Sequence, residues 1–203
     1  MVYAGNLHKP QAVTLYRMEV IKTDIEGVVI IKPRLFNDAR GYFFESFSQR
    51  EFSEKVAPIV FVQDNESKSS YGVLRGLHFQ LPPYTQSKLV RVISGAVLDV
   101  AVDIRKGSPT YGRHVAVELT AENHLQLFIP KGFAHGFSVL SKEVVFQYKC
   151  DSFYAPKSEG AIAWDDKRLE IDWRIPAGKV ILSEKDMHHK RLEQIDSPFT
   201  YNI

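Results

Sequence analysis

Leu98-Asp99-Val100-Ala101-Val102-Asp103-Ile104-Arg105 is the stretch on which the fold turns. Its even positions are all apolar up to Ile104, while Asp99, Asp103 and Arg105 share the opposite face with Ala101. That period of two belongs to a β-strand. Working outward, Ser94-Gly95 marks a tight turn back to an apolar run from Leu89 to Ile93, and Gly107-Ser108-Pro109 opens a loop toward a strand at Val115 to Leu119. Leu125 to Ile129 and Val144 to Lys149 continue the series, the latter with Val144, Phe146 and Tyr148 on one face. Short strands at this spacing predict an all-β sandwich or barrel.

Toward the N-terminus, Val28 to Ile31 and Tyr42 to Phe47 read as two strands joined by a turn over Asn37-Asp38-Ala39-Arg40-Gly41, with Glu45 among the rings of the second. Ser48 and Glu51 have the form of a capping box, and Phe52 and Val56 follow at helical spacing until Pro58, which predicts a short peripheral helix. Ile59 to Gln63 returns to strand character and Asp64-Asn65-Glu66-Ser67 reads as a polar turn. Beyond the β region, Trp164-Asp165-Asp166 and Ile171-Asp172-Trp173 are loop-like, and Ser183-Glu184-Lys185-Asp186 caps a short final helix. Residues 1–17 are polar and read as an extension outside the core; residues 18–203 are expected to form one domain.

Composition narrows the function. Among 203 residues, 26 basic against 24 acidic side chains leave +2, with no dense basic run, which argues against nucleic acid as a partner. One cysteine, Cys150, excludes an intramolecular disulfide framework, fits a reducing compartment and reads as a packing residue. No signal peptide or long apolar span is evident, so a soluble, cytoplasmic protein with no membrane partner is expected.

Chemistry concentrates in Gly72-Val73-Leu74-Arg75-Gly76-Leu77-His78-Phe79-Gln80. As a regular strand it would put Arg75, Leu77 and Phe79 on one face and His78 and Gln80 on the other, so one pocket can hold both Arg75 and His78 only through a bend at Gly76. Downstream, Pro130-x-Gly132-x-x-His135 has the form of the second half of a cupin metal motif. The first half departs from it: Gln80 and Lys88 stand where a second histidine and an acidic ligand belong, leaving too few donors for a divalent ion. The expectation is therefore a cupin-like jelly roll with short peripheral helices, no metal and no cofactor. A cavity keeping histidine, arginine, lysine and tyrosine suits removal of a proton from carbon beside a carbonyl, since neutral imidazole, with a reference pKa of about 6.5, is a base near neutrality.

Residues 19 to about 190 resemble the dTDP-4-dehydrorhamnose 3,5-epimerases. The matching phrases run in order: Asp38 to Ser46, Phe61 to Asn65, Val73 to Gln80, Lys88 to Arg91, Asp99 to Arg105, Gln126 to Pro130 with His135-Gly136-Phe137, and Leu182 to Asp186. The resemblance implies His78 as general base, Asp186 as the carboxylate that orients it, Tyr148 as the acid on the opposite face, and Lys88 as the group stabilising the enolate. It implies substrate contacts from Arg40, Glu45, Gln63, Asp64, Asn65, Arg75, His135, Tyr154, Glu159 and Lys185, and a dTDP-linked 4-keto-6-deoxy sugar as the substrate. It also implies a homodimer with exchanged strands, so that Arg40 can serve the partner's site. Glu66, where histidine is frequent, and Ser87, where glycine usually precedes the lysine, are departures that remove no proposed catalytic group. Relatives that epimerise a single carbon keep much of this pocket, so double and single epimerisation both stay open. A sugar-nucleotide-binding cupin without turnover is the reading from another class.

Overall fold

The computed structural model describes residues 18–201; the extension expected over residues 1–17 lies outside the described residues. Strands form where apolar residues alternate. In chain order they are β1 (Glu19–Lys22), β2 (Val29–Lys32), β3 (Phe36–Asp38), β4 (Gly41–Phe43), β5 (Gln63–Ser70), β6 (Leu74–Gln80) and β7 (Lys88–Ser94), followed by β8 (Ala96–Asp103), β9 (His114–Thr120), β10 (Gln126–Ile129), β11 (Phe133–Val139), β12 (Glu143–Cys150) and β13 (Glu159–Ala161). They build an antiparallel six-stranded sheet, β1-β2-β10-β7-β12-β5, a five-stranded sheet, β13-β6-β11-β8-β9, and the small hairpin β3-β4. The chain is all-β, as the alternation predicts.

The two large sheets face each other across a core in which Val90, Val92, Leu127, Ile129, Val144 and Phe146 meet Val97, Ala101, Leu119, Phe133, Phe137 and Val139. Farther along the same strands the inner positions turn polar: Val92 and Val90 give way to Lys88 on β7, Phe146 to Tyr148 on β12, and Phe137 to His135 on β11. One end of the sandwich is thus a sealed core and the other a lined cavity.

A second core covers the outside of the five-stranded sheet. Leu74, Leu77 and Phe79 of β6 and Leu98, Val100 and Val102 of β8 bury themselves under Ile162, Leu169, Trp173, Leu192 and Phe199 of the C-terminal segment. This corrects the picture of β8 as a strand with one apolar face. Both of its faces are buried, and the odd positions carrying Asp99 and Asp103, each fully buried, look into the sandwich. On the outside of the six-stranded sheet, α1 (Gln49–Lys55) lays Phe52 against Ile31, Leu89 and Phe128. Its predicted cap holds, Ser48 Oγ accepting from Glu51 N at 3.4 Å; the Glu51 carboxylate, however, accepts from Met18 N and Lys55 instead of closing the box.

Two elements differ from expectation. Residues 64–67 are not a turn but the centre of β5, which begins at Gln63, and Ile59 to Val62 precede it outside any strand. As an edge strand, β5 alternates polar residues facing the cavity with polar residues facing solvent, so no apolar period announces it. Near the N-terminus, β2 pairs with β1 and β10 and not with the aromatic run, whose strand character ends at Phe43; Asn37 to Gly41 closes the separate β3-β4 hairpin.

Candidate active site

His78 enters the cavity because β6 is bulged. The β11–β6 register runs from His135↔His78 to Phe137↔Arg75, so Gly76 and Leu77 together oppose Gly136. The extra residue returns Arg75 to the face of His78 while Leu77 goes to the outer core, as the expected bend at Gly76 requires. Only glycine fits there: φ is +142° and a Cβ would lie 2.6 Å from Gly136 Cα.

Asp186 reaches His78 from the C-terminal segment. Gly72 O accepts from Ile181 N at 2.8 Å and Leu74 N donates to Ile181 O at 2.9 Å, pinning the chain before it. Ala163 N to Lys190 O and Leu192 N to Asp166 Oδ2, both 2.8 Å, pin the chain after it. Between these anchors the single 3₁₀ turn Lys185–Met187 presents the buried carboxylate. Asp186 Oδ1 lies 2.6 Å from His78 Nε2, while Oδ2 accepts from Ser183 Oγ at 2.8 Å. Burial pushes the Asp186 carboxyl up, but hydrogen bonds from His78, Ser183 and His189 outweigh it and hold it below the usual carboxylate range. An ionised carboxylate only accepts, so Nε2 of His78 carries the proton and Nδ1 keeps the basic lone pair.

His189 belongs to this cluster although the sequence reading had not singled it out. Its Nε2 lies 3.3 Å from the same Asp186 Oδ1, and its ring stands edge-on to that of His78 with centroids 5.7 Å apart. The two Nε2 atoms and one carboxylate oxygen fall within 4.8 Å of one another.

Two cavities, about 580 and 420 Å³, share His78, Lys88, Tyr148 and Lys185 as walls. Lys88 Nζ sits 5.9 Å from the centroid of the Tyr148 ring and makes no hydrogen bond or ion pair among the described residues. Burial pulls its ammonium below the ordinary lysine range, opposed in part by Asp99 and Glu159. Burial also raises the Tyr148 phenol, more than the Arg75 cation lowers it, so the hydroxyl holds its proton at neutral pH. His135 is buried with Nε2 3.0 and 3.1 Å from the two oxygens of Asp99. Burial lowers the His135 imidazole more than Asp99 raises it, leaving a neutral ring fixed in one tautomer.

The larger cavity carries a polar rim. Gln63 Nε2 donates to Asn65 Oδ1 at 2.9 Å, and Gln63 Oε1 accepts from Tyr154 N at 3.0 Å. Tyr154 Oη donates to Glu159 Oε1 at 2.8 Å, and Lys185 closes the chain on Glu159 Oε2. Gln80, read from sequence as a lost metal ligand, is a clamp: it accepts from Ala155 N at 2.7 Å and donates to Tyr84 O and Phe153 O, holding the loop that bears Tyr154.

Three expected contacts lie elsewhere within one chain. Arg40 sits exposed on the β3-β4 hairpin and pairs with its own Asp38 at 2.5 Å, because that hairpin stands apart from both large sheets. Glu45 lines a small hollow of about 30 Å³ with Ile31, Phe47 and Gln126. Asp64 occupies an outward position of β5 and meets Lys149 at 2.8 Å. Asp99, Ser183 and His189 were missed. Asp99 sat on the polar-looking face of a strand presumed half-buried, and His189 had only its three-residue spacing from Asp186 as a signal.

A two-layer antiparallel jelly roll that gathers a histidine–carboxylate dyad, an unpaired lysine and a protonated tyrosine around one cavity is the frame of a cupin-like isomerase. The chain belongs to the dTDP-4-dehydrorhamnose 3,5-epimerase family, whose model matches residues 22–194. It is 54% identical to the enzyme of that name from Shigella flexneri over 180 residues, covering 88% of this chain and 98% of the relative. The crystal structure of a dTDP-6-deoxy-D-glucose-3,5-epimerase from Legionella pneumophila, solved with dTDP-4-keto-L-rhamnose, is similar at 48% identity with a TM-score of 0.88, covering 92% of this chain and 100% of that one. The enzyme from Elizabethkingia anophelis is similar at 50% identity with a TM-score of 0.83, covering 87% and 97%.

Proposed function

We propose that this epimerase inverts C3 and C5 of dTDP-4-dehydro-6-deoxy-D-glucose, giving dTDP-4-dehydro-L-rhamnose. His78 takes the proton from carbon beside the C4 ketone, Asp186 orients its ring and stabilises the imidazolium, Lys88 holds the enolate oxygen, and Tyr148 returns a proton to the opposite face. Each inversion removes one proton and returns one, so the balance calls for no oxidant, reductant or group carrier. The observation that carries this reading is the meeting of His78, Lys88 and Tyr148 in the walls shared by both cavities. Arg75, His135, Gln63, Asn65, Tyr154, Glu159 and Lys185 act as substrate contacts, the guanidinium suiting the pyrophosphate.

The working unit is a homodimer with exchanged strands, formed from one core domain over residues 18–203. In its favour, the β3-β4 hairpin carries Arg40 away from its own cavity and exposes Tyr42 and Phe43, 58% and 60% accessible. No helix among the described residues is long and apolar enough to cross a membrane, and the lone buried Cys150, its thiol pushed up to about 11 chiefly by burial, fits a cytoplasmic setting. Incubation with substrate in deuterated water is expected to place label at both C3 and C5. Label at one carbon makes the chain a single-position epimerase, and label at neither overturns the reading.

A further inference from the structure

Asp186 serves two histidines, and only one of them has a place in the proton transfer described above. Oδ1 accepts from His78 Nε2 at 2.6 Å and from His189 Nε2 at 3.3 Å, while Oδ2 is taken by Ser183 Oγ. His189 lines the larger cavity with His78 and has its side chain 20% exposed, so the carboxylate is divided between two imidazoles in a site partly shielded from water. We propose that His189 is a positioning residue for the proton transfer: by sharing Asp186 Oδ1 with His78 it sets how strongly that carboxylate holds a proton on His78.

The sign follows from the geometry. A neutral His189 donates an N–H to Oδ1 and so draws off part of the negative charge that stabilises the His78 imidazolium. A protonated His189 does this more strongly and also repels the imidazolium across 5.7 Å between ring centroids. Both states weaken the hold of Asp186 on a proton at His78, so removal of His189 is expected to strengthen that hold. The other charged or titratable groups facing the pair are Arg75 on β6, Glu159 on β13 with Tyr154 before it, Lys185 next to Asp186, Lys88 on β7, Tyr148 and Cys150 on β12, and His135 on β11. None of them bonds to His189, so replacing it leaves their contacts in place.

The inference rests on the epimerase reading, and its test separates the two. The acid limb of kcat/KM is measured for wild type, His189→Ala and His189→Gln, alongside the His78 ring titration followed by NMR without substrate. His189→Ala is expected to raise both the limb and the ring titration by about 0.5 pH unit or more. His189→Gln, which keeps an uncharged N–H donor, is expected to stay closer to wild type. A ring titration unchanged in His189→Ala, or a Gln variant displaced as far as Ala, overturns the role of His189 whatever the turnover. Absence of deuterium exchange in the wild type overturns the epimerase reading alone, since the ring titration is read without catalysis.

Discussion

In the proposed mechanism Tyr148 closes the proton balance with a single oxygen. Its ring packs against the interior core and 6.1 Å from Phe146, so the phenyl body is held by contacts that do not involve the hydroxyl. Tyr148→Phe therefore removes the acid and keeps the wall: kcat is expected to fall by roughly 10²–10⁴-fold. Dissociation of dTDP, followed by calorimetry, should change by about threefold or less, and a large loss of affinity with unchanged kcat would assign Tyr148 to binding instead. At this scale the matching phrases singled out His78, Lys88 and Asp186, each in a run of ordered residues, whereas Tyr148 lies outside those runs and was named from the resemblance and its place on the Val144 to Lys149 strand. Asp99 and His189 were not, because what makes them matter is a partner on a neighbouring strand or across a cavity, and neither relation has a short-range pattern.

Elements were legible wherever one face is apolar and the other is not. The cap at Ser48, the turn at Gly95 and strands β7 to β10 and β12 follow from local chemistry, while β11, buried along its whole length, was read only as a motif. β5 did not follow, since both of its faces are polar: one meets water and the other meets substrate-sized space. The bulge in β6 was legible only as a contradiction, two polar residues needed in one pocket at a spacing that a regular strand forbids. Gly76→Ala tests it. The methyl would meet the backbone of β11 at 2.6 Å in a conformation that L side chains avoid, and urea unfolding should show a loss of about 3 kcal/mol. Turnover per folded molecule should fall as well, because relief of the clash separates Arg75 from His78. A variant as stable as wild type would show that the strand accommodates the residue without its bulge.

Across the whole molecule, fold and chemistry meet in the C-terminal segment. Trp173 is buried in the outer core, donates from Nε1 to Trp164 O at 2.9 Å, and its carbonyl accepts from Ser138 Oγ at 2.7 Å. Trp173→Ala should cost about 3–5 kcal/mol in denaturant unfolding, and a loss below about 1 kcal/mol would mean that the segment is held mainly elsewhere. That segment carries the carboxylate for a histidine 108 residues earlier in the chain. His78 therefore has its orienting partner only when the C-terminal segment is docked on the outside of the five-stranded sheet. On the proposed mechanism a molecule cut free of this segment is expected to be silent toward its substrate, since it loses part of the cavity wall together with the carboxylate.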